Sequence, residues 1–575
     1  LFDTPVVGAE VYKSTDGGAS WQKTHQGYID DLYYSYGYYF GHIHVHPKQE
    51  DKIYIYGVPL LTSNDGGKTF ESISKANVHS DHHALWINPE KAGHLINGND
   101  GGVNITYDDG DHWMKNNSTT VGQFYAINVD NEKPYNVYGG LQDNGVWKGA
   151  HNAVEDERWH ATGHNPWTSI MGGDGMKVQI DRRNSNIVYT GFQFGNYYRL
   201  DLANKKRVAI QPKHTLGEAP YRFNWQTPIL LSSHNQDILY FGGNKLHRSL
   251  NQGEDWETIS TDLTKGGRKG NVAYGTLTTL SESPLQFGYL YTGSDDGYVN
   301  KTTNGGGSWE RISDSFPQDL WVSRVVASQH QKDRVYVTLN GYRWDDFSPY
   351  VYVSEDGGKQ WKAIASNLPL SPVNVIREDP KKENILYLGN DMGVFVSFYL
   401  GENWLQFVKV LTTAAVHDLV IQTDQNHLLV GTHGRSIYKA DISTLQEEVK
   451  DLTLLPVEDM RHSKRWGGSY SSWRKPYLPA VEFRVYSKNS ATVKWTIYDE
   501  KKTLVYTSEQ VLDQGYNFIN YDLTVAQEQL NNYQRKNKKN PLKSAKNGQF
   551  YLPKGTYTLN IEQAGRTTSQ SFKIK

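Results

Sequence analysis

No cysteine occurs anywhere in the 575 residues. That excludes a disulfide framework, thiolate catalysis and cysteine-ligated zinc, and leaves the core and the strand ladders to hold the fold. Long apolar runs are missing too: no stretch approaches the ~20 residues of a membrane-crossing helix. Neither sign of charge is in excess. The 60 Lys and Arg against 62 Asp and Glu leave a net charge of −2, which gives no electrostatic footprint for nucleic acid or an anionic membrane. The sequence starts at Leu1 without an initiator Met or a leader. It reads as a processed product or as a piece of a longer protein, and the repeats below favour the second.

Aromatics and glycine are abundant, with 16 Trp, 39 Tyr, 18 Phe and 53 Gly. This balance points to many short strands and turns. A motif recurs: Ser/Thr-x-Asp-x-Gly-x-x-Trp/Phe. It reads STDGGASW at Ser14–Trp21, SNDGGKTF at Ser63–Phe70, TYDDGDHW at Thr106–Trp113 and SEDGGKQW at Ser354–Trp361. Weaker copies are SLNQGEDW from Ser249, TTNGGGSW from Thr302 and SFYLGENW from Ser397. The aromatics are spaced by 49, 43, 143, 53, 52 and 43 residues, and the long gap holds about three ordinary periods. A beat of about 40–55 residues is that of a four-stranded propeller blade. The motif's Ser/Thr and Asp side chains can bond the turn's own amides, and Gly supplies positive φ. Its Asp is therefore a turn staple before it is a catalyst.

The fold class expected is all-β, a β-propeller of four-stranded Asp-box blades followed by a small β-sandwich. Inner strands begin near Phe124, Met176, Thr227, Tyr274, Trp321, Val373 and Ala415, and eight complete blades span Gly41–Phe407 between two partial ones. Two closures are open. All blades could form one large ring. Alternatively, residues 121–450 form a complete seven-bladed propeller, and residues 1–120 are the last blades of another whose remainder precedes Leu1. The second is favoured. Residues 451–478 read as a linker carrying Arg465, Trp466, Trp473 and Arg474, and residues 479–575 as an Ig-like sandwich with a helical insertion near Ala526–Asn547.

Propellers bind ligands where the loops entering the inner strands meet the turns between second and third strands. The repeat places His79, Asp81, His82, Trp225, Asn271, Trp321 and Arg324 in the first group. Asp100, Gln142, Asn144, His433 and Arg435 fall in the second. Asp143, Asp174, Asp295 and Asp391 are the candidate catalytic carboxylates. Amides and acids for sugar hydroxyls, with Trp for sugar faces, suit a carbohydrate, and hydrolysis requires two carboxylates. HSDHH at His79–His83 is the densest metal-capable cluster, but neighbours on a strand point to opposite sides, so no metal site is assigned. No cofactor is called for. A carboxylate-rich propeller loop suits a structural Ca2+.

The segments NVHSDHHALWINP, INGNDGGVNITYDDG, VGQFYAINVDNEKPYNVYGGLQDNGVW, LNGYRWDDF and VGTHGRSIYKAD resemble a bacterial family of large secreted proteins. These are labelled glycosyl hydrolases with BNR (Asp-box) repeats or sortilin-like proteins, and the resemblance runs from about residue 8 to the C-terminus. It implies an architecture similar to family 74 xyloglucanases or to sortilin's peptide-binding propeller, and a secreted or cell-surface location. The xyloglucanase acids do not match this chain residue by residue. The expected partners are a carbohydrate or peptide ligand and blades from the same precursor or another chain. No nucleic acid and no transmembrane segment are expected. The functions in competition are a glycoside hydrolase or glycan binder, a non-catalytic peptide binder, and a surface assembly scaffold.

Overall fold

The computed structural model describes residues 8–34, 36–37, 39–116, 119–154, 166–269, 273–407, 413–447, 451–457, 459–469, 471, 473, 475–538, 540–563 and 565–575. Asn271 and Arg474 lie outside the described residues. The contacts divide the chain into two compact units between Asp441 and Ile442.

The first unit is a succession of antiparallel sheets. Among the described residues a two-stranded sheet, Tyr12–Lys13 with Gln22–Lys23, is followed by eight four-stranded sheets and one of three strands. Each runs in simple up-and-down order. Phe124–Val129, Asn136–Leu141, Gly145–Ala150 and Thr168–Met171 form one of them. The three-stranded sheet is Val416–Gln422, His427–Thr432 and Ile437–Asp441. Inner strands pack side by side from Phe124–Val129 round to Val416–Gln422, and the last packs back on the first. At this seam Gln123 pairs with His433. The amides of Gly434 and Ser436 donate to the Gly122 carbonyl at 2.9 and 3.1 Å. Seven sheets thus close a ring, a β-propeller, and leave no open inner edge. The sheets built on His42–His46 and His82–Ile87 stand before it in the same unit.

The recurrent motif turns out to be a device for joining sheets. In the turn at Ser354 the hydroxyl donates to Asp356 Oδ1 and accepts from the Gly358 amide at 2.7 Å, while Asp356 takes the amides of Lys359 and Gln360. The Trp361 indole then donates to the Ile312 carbonyl of the preceding sheet at 2.9 Å. Trp113, Trp309 and Trp404 make the same bond to Ile73, Ile259 and Ile364. A second tie uses the tyrosines. The second strands bury Tyr54, Tyr138, Tyr240, Tyr336 and Tyr387. The hydroxyls of Tyr54, Tyr240 and Tyr336 donate to Asp109, Glu282 and Glu378 of the following sheet, while those of Tyr138 and Tyr387 donate within their own blades to Asp130 and Asp379. Buried phenols and carboxylates satisfy each other in this way.

The second unit packs two sheets over one core. Leu452–Leu454, Val481–Ser487 and Gly515–Tyr521 form the first sheet. Leu504–Leu512, Ala491–Asp499, Gly555–Gln563 and Arg566–Ile574 form the second. Phe483, Val485, Trp495, Ile497, Leu559 and Phe572 meet between them. The alternation that predicts strands at 481–487, 491–499 and 555–563 is the inward–outward alternation of this sandwich. The helix is Gln527–Lys536. The stretch 451–478, which composition reads as a linker, is part of the module. Leu452–Leu454 pairs with Val481–Ser487, Met460 bridges Ile574 and Trp466 is buried in the core. A three-residue strand is too short for period-two alternation to register. No helix among the described residues is long and apolar enough to cross a membrane.

Candidate ligand face of the ring

Six inner strands carry a bulge near their start, one residue after the strand begins in five of them and two residues after in Trp321–Ala327. The bulged residues are His83, Tyr125, Thr278, Ser323, Asn374 and His417. A bulge re-aims a side chain out of the alternating pattern. Thr278 and Ser323 use it to tie neighbouring blades, donating to the carbonyls of Val322 at 2.6 Å and Val373 at 2.7 Å. The other four turn toward the loop face. His83 lies 2.8 Å from Asp100 Oδ1. The Asn374 amide donates to Asp391 Oδ1 at 2.8 Å. His417 stacks on His433 with centroids 4.5 Å apart. Burial pushes the phenol of Tyr125 up to about 12, with the Trp225 side chain working against the rise and the charges of Asp174 and Asp143 adding to it.

The acids gather where the sheet ending in Met114–Asn116 meets the first blade of the ring. Asp143 sits in the turn between second and third strands with φ +59°. Its amide donates to Asp174 Oδ1 at 2.9 Å, and its carbonyl lies 2.9 Å from His79 Nε2. Asn144 donates from its side chain to the Asp100 carbonyl at 2.8 Å. Burial pushes the Asp143 carboxyl up to about 6, and the neighbouring charges of Asp174 and Asp100 add to the rise. Neither Asp143 carboxyl oxygen takes a hydrogen bond among the described residues. Burial likewise raises Asp100, with His83 working against it. Beside this cluster Trp225 and Phe194 pack edge to face at 5.2 Å, and both remain partly exposed at 37% and 41%.

The remaining predicted residues divide by what they touch. Asp295 is buried, and its carboxylate accepts from the amides of Gly275 and Thr276 and from the Thr276 hydroxyl at 2.6 Å, so it staples a turn. Asp391 is exposed at the rim, its amide held by Ser371. His82 is buried inside its sheet, 2.8 Å from Asn97 Oδ1, while Asp81 takes φ +62° at the preceding turn. His82 and His83 therefore face different surroundings, and among the described residues no three His, Asp or Glu side chains form a metal-holding group. Gln142 holds the Asn144 amide with its carbonyl at 2.7 Å. The Arg343 guanidinium lies over the Trp321 ring at 4.2 Å. Arg435 is exposed, with its amide on the Thr432 hydroxyl.

Arg324 points into the channel. It donates to the His417 carbonyl at 3.0 Å and to Asp418 Oδ1 at 3.1 Å, and Arg377 reaches the same oxygen at 3.1 Å. Burial pushes the Asp418 carboxyl up, but the two guanidiniums outweigh it and hold it below the usual range. Lys177 shares the channel, and burial pulls its ammonium down to about 7. Burial and the neighbouring His433 likewise pull His417 down to about 3. Sequence reasoning missed Tyr125, Lys177, Phe194, Arg343 and Arg377. The available signal was positional: most are polar or aromatic residues near the start of an otherwise apolar inner strand, or in a loop facing one.

No family model and no curated protein matches the chain. Many solved structures do. YCF48 bound to a peptide is 13% identical with a TM-score of 0.28, over 68% of this chain and 89% of that one. The extracellular domain of the hybrid two-component system BT3049 from B. thetaiotaomicron is 10% identical with a TM-score of 0.40, over 98% of this chain and 70% of that one. The Niastella koreensis GH74 enzyme is 11% identical with a TM-score of 0.27, over 89% of this chain and 80% of that one.

Proposed function

We propose that the loop face of the ring binds a polysaccharide and hydrolyses a glycosidic bond, with Asp143 as the general acid and Asp174 as its partner carboxylate. The observation that carries this reading is the contrast between the two side chains. Asp143 keeps its proton to about pH 6 with no hydrogen bond to its carboxyl oxygens among the described residues. Asp174 uses one oxygen on a backbone amide and leaves the other for work. Glycoside hydrolysis uses two carboxyl groups: one protonates the leaving oxygen, the other serves as base or nucleophile. Tyr125, Trp225 and Phe194 supply the apolar wall for a sugar face. A polysaccharide substrate places the protein outside the cell or on its surface.

The test is a glycan array and hydrolysis screen with wild type, Asp143→Asn, Asp174→Asn, Asp295→Asn and Asp391→Asn. Asp143→Asn and Asp174→Asn should each lower kcat by about 10²-fold or more while sugar binding persists. Asp391→Asn should leave kcat within about twofold. Because the acid must be protonated, kcat should fall as pH rises through about 6. A wild type that cleaves nothing and binds no sugar overturns the reading. The second reading is a non-catalytic face for a peptide or protein partner. It is favoured by the cationic channel, where Arg324, Arg377 and Lys177 surround the single carboxylate of Asp418.

A further inference from the structure

The second unit has its own groove of about 1650 Å³, across the turn end of the sandwich. Seven cations line it: Lys464, Arg465, Lys475, Lys501, Lys543, Lys546 and Lys554. Among the described residues none of the seven forms an ion pair. The two acids in the lining are otherwise engaged. Asp499 accepts the amides of Lys501 and Thr503, and Glu500 accepts the amide of Thr556. The cations come from three separate segments, 464–475, Lys501 and 543–554, so the fold brings together like charges that repel. Seven cations against two carboxylates make a local excess of positive charge in a chain whose net charge is −2.

We infer that this groove binds an acidic polysaccharide, a chain of sugars bearing carboxylates, and this holds whether or not the ring is a hydrolase. The volume exceeds the roughly 300–1,000 Å³ of sites for single small molecules, so it suits an oligomer. Tyr477 stands 57% exposed in the lining as a ring for a sugar face. An acidic peptide would gain most by adding to a sheet edge, and the groove lies across strand ends instead, at the Asp499–Lys501 turn and Pro553–Thr556. A single-stranded nucleic acid stacks on successive exposed rings, whereas Trp466, Tyr533 and Tyr557 are buried.

Affinity electrophoresis of the full chain tests the inference, with polygalacturonate, neutral dextran, poly-glutamate and a single-stranded oligonucleotide as probes. Polygalacturonate should retard the protein and dextran should not, and retardation should vanish at about 0.5 M salt, where screening is short-ranged. The triple variant Lys543→Gln, Lys546→Gln, Lys554→Gln should bind at least tenfold more weakly, and Tyr477→Ala severalfold more weakly. If the triple variant melts early, Lys546→Gln alone should still show a measurable loss. The triple variant should leave any glycan hydrolysis by the ring unchanged, which separates this groove from the ring. No retardation, equal retardation of the triple variant, or equal binding of poly-glutamate or the oligonucleotide each overturns the inference.

Discussion

Asp143 and Asp295 occupy equivalent turns between second and third strands of their blades, yet their carboxyls meet different surroundings. Burial pushes both up to about 6. Asp295 answers that cost with three donors from Gly275 and Thr276, whereas Asp143 has only charges near it, Asp174 and Asp100 on one side and His79 on the other. The motif aspartates have a third fate: hydrogen bonds, led by that of Thr69, hold Asp65 down at about 2 at the surface. These differences have a thermodynamic sign. Folded Asp143 keeps its proton to about pH 6, against about 3.9 when unfolded. The folded state binds the extra proton between those values, so stability falls as pH rises through the window. Asp143→Asn should therefore stabilise the ring at pH 7 by roughly 1 kcal/mol after discounting for solvent. Near pH 4 the gain should almost disappear. Melting curves of both proteins at the two pH values check it, and an equal gain at both would contradict it.

At the scale of the element, the motif turn and the buried tyrosine do the joining. The second Gly of the motif takes positive φ, and where a sheet precedes it, as at Gly358, it also packs against that sheet. At Gly358, with φ +91°, an added Cβ would lie 2.6 Å from Ile312 Cδ1, whereas at Gly18, with φ +93°, its nearest neighbour is 3.9 Å away. Both substitutions to Ala strain the backbone, and only the first also overpacks an interface. Gly358→Ala should cost about 1–3 kcal/mol more than Gly18→Ala, read as the difference in denaturant midpoints. The motif, its spacing and the blade order are legible in sequence because they repeat. The bulges are not, because Phe124-Tyr125-Ala126 or Val416-His417-Asp418 looks like ordinary strand. The extra residue shows only against the partner strand, where Phe124 pairs with Leu141 and Ala126 with Gly140.

At the scale of the whole molecule, two units each bury their own core, so each is expected to unfold on its own terms. Trp495 is buried in the sandwich, and Trp495→Ala should cost that unit about 3–5 kcal/mol. Asp418 is the shared carboxylate of Arg324 and Arg377, and Asp418→Asn would leave those cations uncompensated at a cost to the ring of about 3–5 kcal/mol. Scanning calorimetry should show two transitions. The first variant should lower one and the second the other, and a single transition moved by both would refute the separation.

The sequence alone determined the repeat, the turn chemistry, the four-stranded sheets and the sandwich strands, because these depend on local spacing and on alternation within a few residues. Tertiary structure decided what depends on distant segments meeting. It closed the ring where Gln123 meets His433 and drew Leu452–Leu454 into the sandwich. It set Asp143 beside Asp174 while stapling Asp295 to the loop at Gly275 and Thr276. Which carboxyl is buried, and which donors reach it, is a property of neighbours far along the chain, and no local pattern records it.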